Sequence, residues 1–223
     1  MCRYYPVKHL VYASSSSVYG ANDKVPFEET DNVDNPVSLY AATKKSNELM
    51  ASTYSHLYDI PATGLRFFTV YGPLGRPDMA YFSFTNKYFK GEPIKIFNNG
   101  DLVNDMYRDF TYIDDIIEGM YRVIYKPPLE LKRKHRVLNI GNNQPEKLMV
   151  FINTLEECLT NASGKKVEFK KEYEPIKPGD VHKTYASTKE LEELVGFKPK
   201  TSIKEGLTKF SEWYCAHKNY LYK

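Results

Sequence analysis

Residues 11–20 read VYASSSSVYG: a short apolar run of β-forming residues, four consecutive serines, then Tyr19 and Gly20. Four hydroxyls in a row neither fill a core nor make a useful linker, so they require a partner elsewhere in the chain. Residues 38–44, SLYAATK, supply one. They open a segment, 38–58, of helical character in which Leu39, Ala42, Leu49, Met50, Tyr54 and Leu57 approximate one apolar face. On that helix Tyr40 and Lys44 stand one turn apart and share a face. A neighbouring ammonium favours the phenolate form of a tyrosine, which lets the phenol serve as a base near neutral pH. A serine hydroxyl opposite it would hold a substrate hydroxyl in line. The spacing alone is weak, because Tyr4/Lys8, Tyr173/Lys177, Tyr185/Lys189 and Tyr214/Lys218 repeat it. For those four a helix-surface contact is the better reading. Tyr40/Lys44 differs by context: it follows Asn35-Pro36 at a helix start, downstream of Ser15 at a strand end. In open α/β sheets ligands gather beyond the carboxyl ends of the strands.

Outward from this pair, strands and helices alternate. Residues 9–13 read as a strand and 62–70, ATGLRFFTV, as a buried strand, followed by a YGPLGRP turn. Helices are expected over 80–90, from 113 onward and over 146–160, with strands over 93–97, 137–140 and 166–171. Ser187-x-x-Glu190 and Ser202-x-x-Glu205 have the form of capping boxes. The last helix places Ile203, Leu207, Phe210 and Tyr214 on one stripe. The alternation predicts an α/β fold with a mostly parallel sheet.

Composition narrows the function. The 31 basic and 28 acidic residues leave a net charge of +3, too balanced for a nucleic-acid footprint. The basic run at 132–136 reads as a solvated loop. Three cysteines at wide spacings suggest free thiols in a reducing compartment. The five histidines are scattered, without metal-ligand spacing. No apolar stretch approaches membrane-spanning length, and no signal-peptide core opens the chain. The expectation is a cytoplasmic protein that binds no metal, nucleic acid or membrane.

The segments YASSSSVYG, NPVSLYAATKKSNE, LRFFTVYGPLGRPDMA, RDFTYIDDI and GFKPKTSIKEGLTKFSEWY together resemble the extended short-chain dehydrogenase/reductase family, and within it the nucleotide-sugar 4-epimerases that act on UDP-glucuronate. The likeness runs over nearly the whole chain. It implies a Rossmann-type parallel sheet, NAD as cofactor and a UDP-sugar as substrate. It further implies that Tyr40 removes the proton of the sugar C4 hydroxyl while hydride passes to NAD. Lys44 would hold the nicotinamide ribose, Ser15 would bond the reacting oxygen with Ser16 as helper, and Ser14 and Phe67 would border the cofactor. Thr69 and Arg76 resemble the pair that meets the substrate's carboxylate, for which a planar guanidinium is suited; a plain loop residue is the alternative for Arg76. Arg108, assisted by Lys87, resembles the diphosphate site, with a salt bridge to Asp105 or Asp109 as its alternative, and Asp180 resembles a nucleotide contact. Dehydratases and decarboxylases of the family carry carboxylates where this chain has Ser16 and Ser17, so epimerisation is favoured over elimination. Leu74 and Ser187 depart from the usual Trp and Asp.

One family feature is not found. The glycines never form the G-x-x-G-x-x-G turn that holds the NAD pyrophosphate. The chain therefore reads as a truncated Rossmann sheet with a smaller C-terminal α/β substrate domain: residues 1–70 with 107–141 on the cofactor side, 71–106 and 142–223 on the nucleotide-sugar side. An internal start, a split frame or trimming would explain this, and would leave the chain weakly active alone. The family homodimer, which uses the Tyr-bearing helix, is doubtful here, and the alternative is a non-catalytic remnant that binds UDP-sugar or pairs with a full-length subunit.

Overall fold

In the computed structural model the described residues are 1–101, 105–176 and 183–221. Strand β1, Leu10–Ser15, pairs in parallel with β2, Ala62–Phe67, in a register running from Leu10 opposite Ala62 to Ser15 opposite Phe67. Strand β2 continues in parallel to β6, His135–Ile140. The first strand is longer than expected: the ladder carries Ser14 and Ser15 to its carboxyl end. The Ser15 hydroxyl then caps the 3-10 turn Ser16–Tyr19 by accepting from the Ser17 amide at 3.2 Å.

The apolar run expected as one strand over 62–70 is two. Phe68 leaves the ladder and buries itself with Val18, Tyr19 and Phe27. The chain then resumes as β3, Thr69–Tyr71, in a second sheet beside β5, Tyr107–Tyr112. Strand β5 also takes β7, Pro145–Lys147, antiparallel and β9, Lys183–Thr184, parallel. A separate pair joins β4, Ile94–Phe97, to β8, Lys171–Glu174. The strand expected over 166–171 is displaced because Val167 and Phe169 plug the core instead, leaving 171–174 to pair.

Among the described residues there are six α-helices: α1 Leu39–Tyr58, α2 Ala80–Lys90, α3 Ile113–Ile124, α4 Leu148–Ser163, α5 Lys189–Val195 and α6 Ile203–Leu221. Helix α4 starts two residues late because Glu146 and Lys147 belong to β7. Ser187 does not cap α5. Its amide and carbonyl bond Phe27 and Asn139, and Thr188 is the N-cap residue, its hydroxyl turned to Glu192. Ser202 does cap α6, accepting from the Glu205 amide at 3.2 Å. The stripe of α6 is core: Leu207, Phe210 and Tyr214 are fully buried against Tyr81, Phe82 and Phe151.

Helix α1 overturns the simplest sequence expectation. Its buried residues are Ala41, Glu48 and Ser55, whereas Leu39, Leu49, Met50, Tyr54 and Leu57 face outward. The sheet face beneath it explains this. Successive strand residues point to opposite faces; Leu65 packs with Ile116 of α3 on one side, and Arg66 and Ser14 reach Glu48 on the other. A polar sheet face selects the polar stripe of α1. On the opposite layer α3 leaves Ile117, Tyr121 and Ile124 exposed. Among the described residues β1 pairs only with β2, so its other edge is open. No described helix is long and apolar enough to cross a membrane.

Candidate active site

The end of β1 and the start of α1 meet at a cavity of about 380 Å³. Its wall includes Ser14, Ser15, Tyr40, Lys44 and Phe67, with Leu74 and Arg76 from the β3–α2 connection and Tyr81 from the first turn of α2. Ser38 caps α1, accepting from the Ala41 amide at 3.1 Å, and so fixes where Tyr40 emerges. Tyr40 is half exposed. The Lys44 ammonium donates to the Ala13 carbonyl at 3.1 Å and lies 5.7 Å from the centre of the Tyr40 ring. Lysine thus bridges helix and strand at the level of the phenol. Of the other Tyr-x-x-x-Lys pairs, Tyr4, Tyr173 and Tyr185 lie outside helices, and Tyr214 is buried on α6, where it donates to Asn86.

The four serines divide their work. Ser14 is buried, lines the cavity and donates to Glu48 at 2.6 Å, which leaves its oxygen able to accept. Ser15 donates to Ser17 at 3.1 Å and borders the cavity. Ser16 opens the 3-10 turn and does not line the cavity, nor does Thr69 at the start of β3. Arg76 lines it but is largely exposed, with its guanidinium donating to Asp78 at 3.1 Å.

Behind this wall lies a buried network that the sequence did not flag. Arg66 grips Glu48 with two nitrogens, at 2.8 and 2.9 Å, and donates to the Tyr19 hydroxyl at 3.0 Å. The Tyr19 hydroxyl donates in turn to the Asn139 side-chain oxygen at 2.7 Å. Burial pushes the Tyr19 phenol up to about 12, against the opposing pull of Arg66. Burial would raise the Glu48 carboxyl, but the bonds and charge of Arg66 and the Ser14 hydroxyl win, holding it below the ordinary range. Two signals could have revealed this: Glu48 continues the four-residue ladder Tyr40, Lys44, Glu48, and Arg66 is a charge inside an otherwise apolar strand.

A second cavity, of about 480 Å³, brings Lys87 and Arg108 together, with Ser83, Phe84 and Lys95 in the same wall. Arg108 donates to the Tyr107 carbonyl at 2.9 Å. The neighbouring carboxylates Asp105 and Asp109 are held by backbone amides. Asp105 accepts from the Met106 and Met149 amides at 2.9 and 2.7 Å, and Asp109 from the amides of Asn142, Asn143 and Ala186 at 2.9 to 3.1 Å. Asp180 lies outside the described residues. Among the described residues no group of His, Cys, Asp and Glu could hold a metal ion.

Residues 1–141 match the family described as NAD dependent epimerase/dehydratase. The chain is 48% identical to a probable UDP-glucuronate 4-epimerase of Rhizobium meliloti, over 93% of this chain and 62% of that protein. It is 50% identical to Protein CapI of Staphylococcus aureus, over 95% and 64%. The structure superposes with a TM-score of 0.80 and 31% identity on the UDP-glucuronic acid 4-epimerase from Bacillus cereus, solved with UDP-glucuronic acid and NAD, covering 99% of this chain and 64% of that one. The chain thus spans less than two thirds of the length of these relatives. With a parallel sheet ending at a cavity that carries Ser15, Tyr40 and Lys44, and a family match over more than half its length, the chain belongs to the NAD-dependent epimerase/dehydratase family.

Proposed function

We propose that this cavity is the catalytic end of a UDP-sugar 4-epimerase acting on UDP-glucuronate and UDP-galacturonate in the cytoplasm. The observation that carries the reading is the convergence of Ser15, Tyr40, Lys44 and Arg76 on one cavity. Tyr40 serves as base and acid at the C4 hydroxyl, and Ser15 positions that oxygen. Lys44, tied to the Ala13 carbonyl, keeps the phenol at the strand end and offers its remaining protons to a ribose. NAD, when bound, supplies the hydride acceptor and donor; Lys44, Tyr40 and Phe67 are the residues present that fit its nicotinamide end. Arg76 exchanges Asp78 for the substrate carboxylate. Lys87 and Arg108 in the second cavity suit the diphosphate, and residues 71–106 with 142–223 form the nucleotide-sugar side. No carboxylate stands at 16 or 17, which favours epimerisation over elimination.

The chain carries no Gly-rich pyrophosphate turn, so NAD binding and turnover by this polypeptide alone are expected to be weak. The open edge of β1 and the exposed apolar faces of α1 and α3 favour a second reading, a subunit that acts when paired with another chain. Incubation with UDP-glucuronate and NAD tests the first: slow formation of the C4 epimer, abolished by Tyr40→Phe, is expected. Release of CO2, a 4,6-elimination product, or turnover indifferent to Tyr40→Phe would contradict it.

A further inference from the structure

The turn that carries Arg76 rests on one buried phenol. Tyr81 stands in the first turn of α2, is 2% exposed, and forms part of the cavity wall under residues 72–76. Its hydroxyl packs against the backbone at Gly75 and fills the space a side chain would take there, where a Cβ would sit 1.7 Å from the phenol oxygen. The ring below is fixed edge-on against Phe210 at 4.8 Å and Tyr71 at 6.2 Å. The turn needs such a template. Leu74 adopts φ 58°, a left-handed conformation unfavourable to leucine, and is 85% exposed, so no burial of its own side chain holds it there. Among the described residues the Arg76 side chain is tethered to Asp78 and the Met79 sulfur, both on the same loop.

We propose that Tyr81 is a positioning residue for carboxylate recognition: its hydroxyl fixes the course of the turn from Gly72 to Arg76, and so aims the Arg76 guanidinium into the cavity. This rests on the reading that Arg76 meets the substrate carboxylate. It assigns a specificity role to a residue that reaches the loop from the aromatic core.

Two measurements on the intact chain test it. By hydrogen exchange, Tyr81→Phe should speed the Met79 amide, which donates to the Arg76 carbonyl at 3.1 Å, about fivefold as the turn loosens; unchanged exchange there overturns the proposal without any ligand. By calorimetry, wild type should prefer UDP-glucuronate to UDP-glucose, Arg76→Ala should abolish the preference, and Tyr81→Phe should reduce it about fivefold with UDP-glucose affinity unchanged. A preference that depends on Arg76 yet survives Tyr81→Phe defeats the role of Tyr81 alone. Arg76→Ala without effect on either ligand defeats the carboxylate reading itself. An equal fall in both affinities with a lower melting temperature marks a merely structural residue and also overturns the proposal.

Discussion

Replacing Arg66 by methionine removes one partner of a buried ion pair and leaves the other in place. Glu48 is 3% exposed, and in the variant its carboxylate would keep only the Ser14 hydroxyl as a donor. Breaking a buried pair from one side costs about 3–5 kcal/mol. Tyr19 keeps its bond to Asn139, so little is added there. A loss of about 4 kcal/mol in a chain of this size lowers the melting temperature by roughly 8–16 °C. The pH dependence has a definite sign. In wild type the Glu48 carboxyl is held low by Arg66, so its contribution is full above the ordinary value of 4.5 and is lost as pH falls through its folded value. In Arg66→Met only burial and one hydroxyl act, so the carboxyl is raised and the penalty of ionising it fades as pH falls. The gap between the two proteins should therefore be widest near neutral pH and should narrow toward about pH 4.5. Urea unfolding followed by circular dichroism at both pH values reads this directly. The double variant Glu48→Met/Arg66→Met should recover most of the loss, since an apolar pair can replace a buried ionic one. A single-variant cost below about 1 kcal/mol, or a gap that widens on acidification, would refute the reasoning.

Other consequences are simpler. Ser202→Ala removes the cap of α6 and should cost about 1 kcal/mol, whereas Ser187→Ala, at a position that caps nothing, should change thermal stability little. Leu49→Lys with Leu57→Lys places charge on the outward face of α1, where both residues are more than half exposed. Stability should stay within about 0.5 kcal/mol while light scattering and retention on size exclusion show less association. Asp78→Asn frees Arg76 from a largely exposed pair, so melting should change little while UDP-glucuronate binds more tightly by calorimetry.

The legible parts of the sequence were those where local chemistry and global packing agree. Helix α2 begins and ends at the expected residues 80 and 90, and the stripe of α6 is the core it promised. The pairing of Tyr40 and Lys44 beside the serines needed only helical geometry and the strand-end rule. Helix α1 misled because periodicity shows that an apolar face exists, not which face the sheet accepts; that depended on Arg66, a residue read as part of an apolar run. Ser187 misled because a capping pattern competes with long-range backbone bonds, here to Phe27. The 62–70 run could not announce its break at Phe68, whose aromatic partners Tyr19 and Phe27 are distant in sequence. Glu48 and Arg66 carry no motif; the ladder from Tyr40 and the charge within an apolar strand hint at each singly, and their mutual burial shows that they pair.

A crystal structure of this chain soaked with UDP-glucuronate tests the assignment of the site most directly. The sugar ring should occupy the space between β1 and the β3–α2 turn, its C4 oxygen within about 3.2 Å of the Tyr40 phenol, Ser15 on the same oxygen, and its carboxylate on Arg76. A sugar bound with C4 turned away from Tyr40, or lodged outside that cavity, would contradict it.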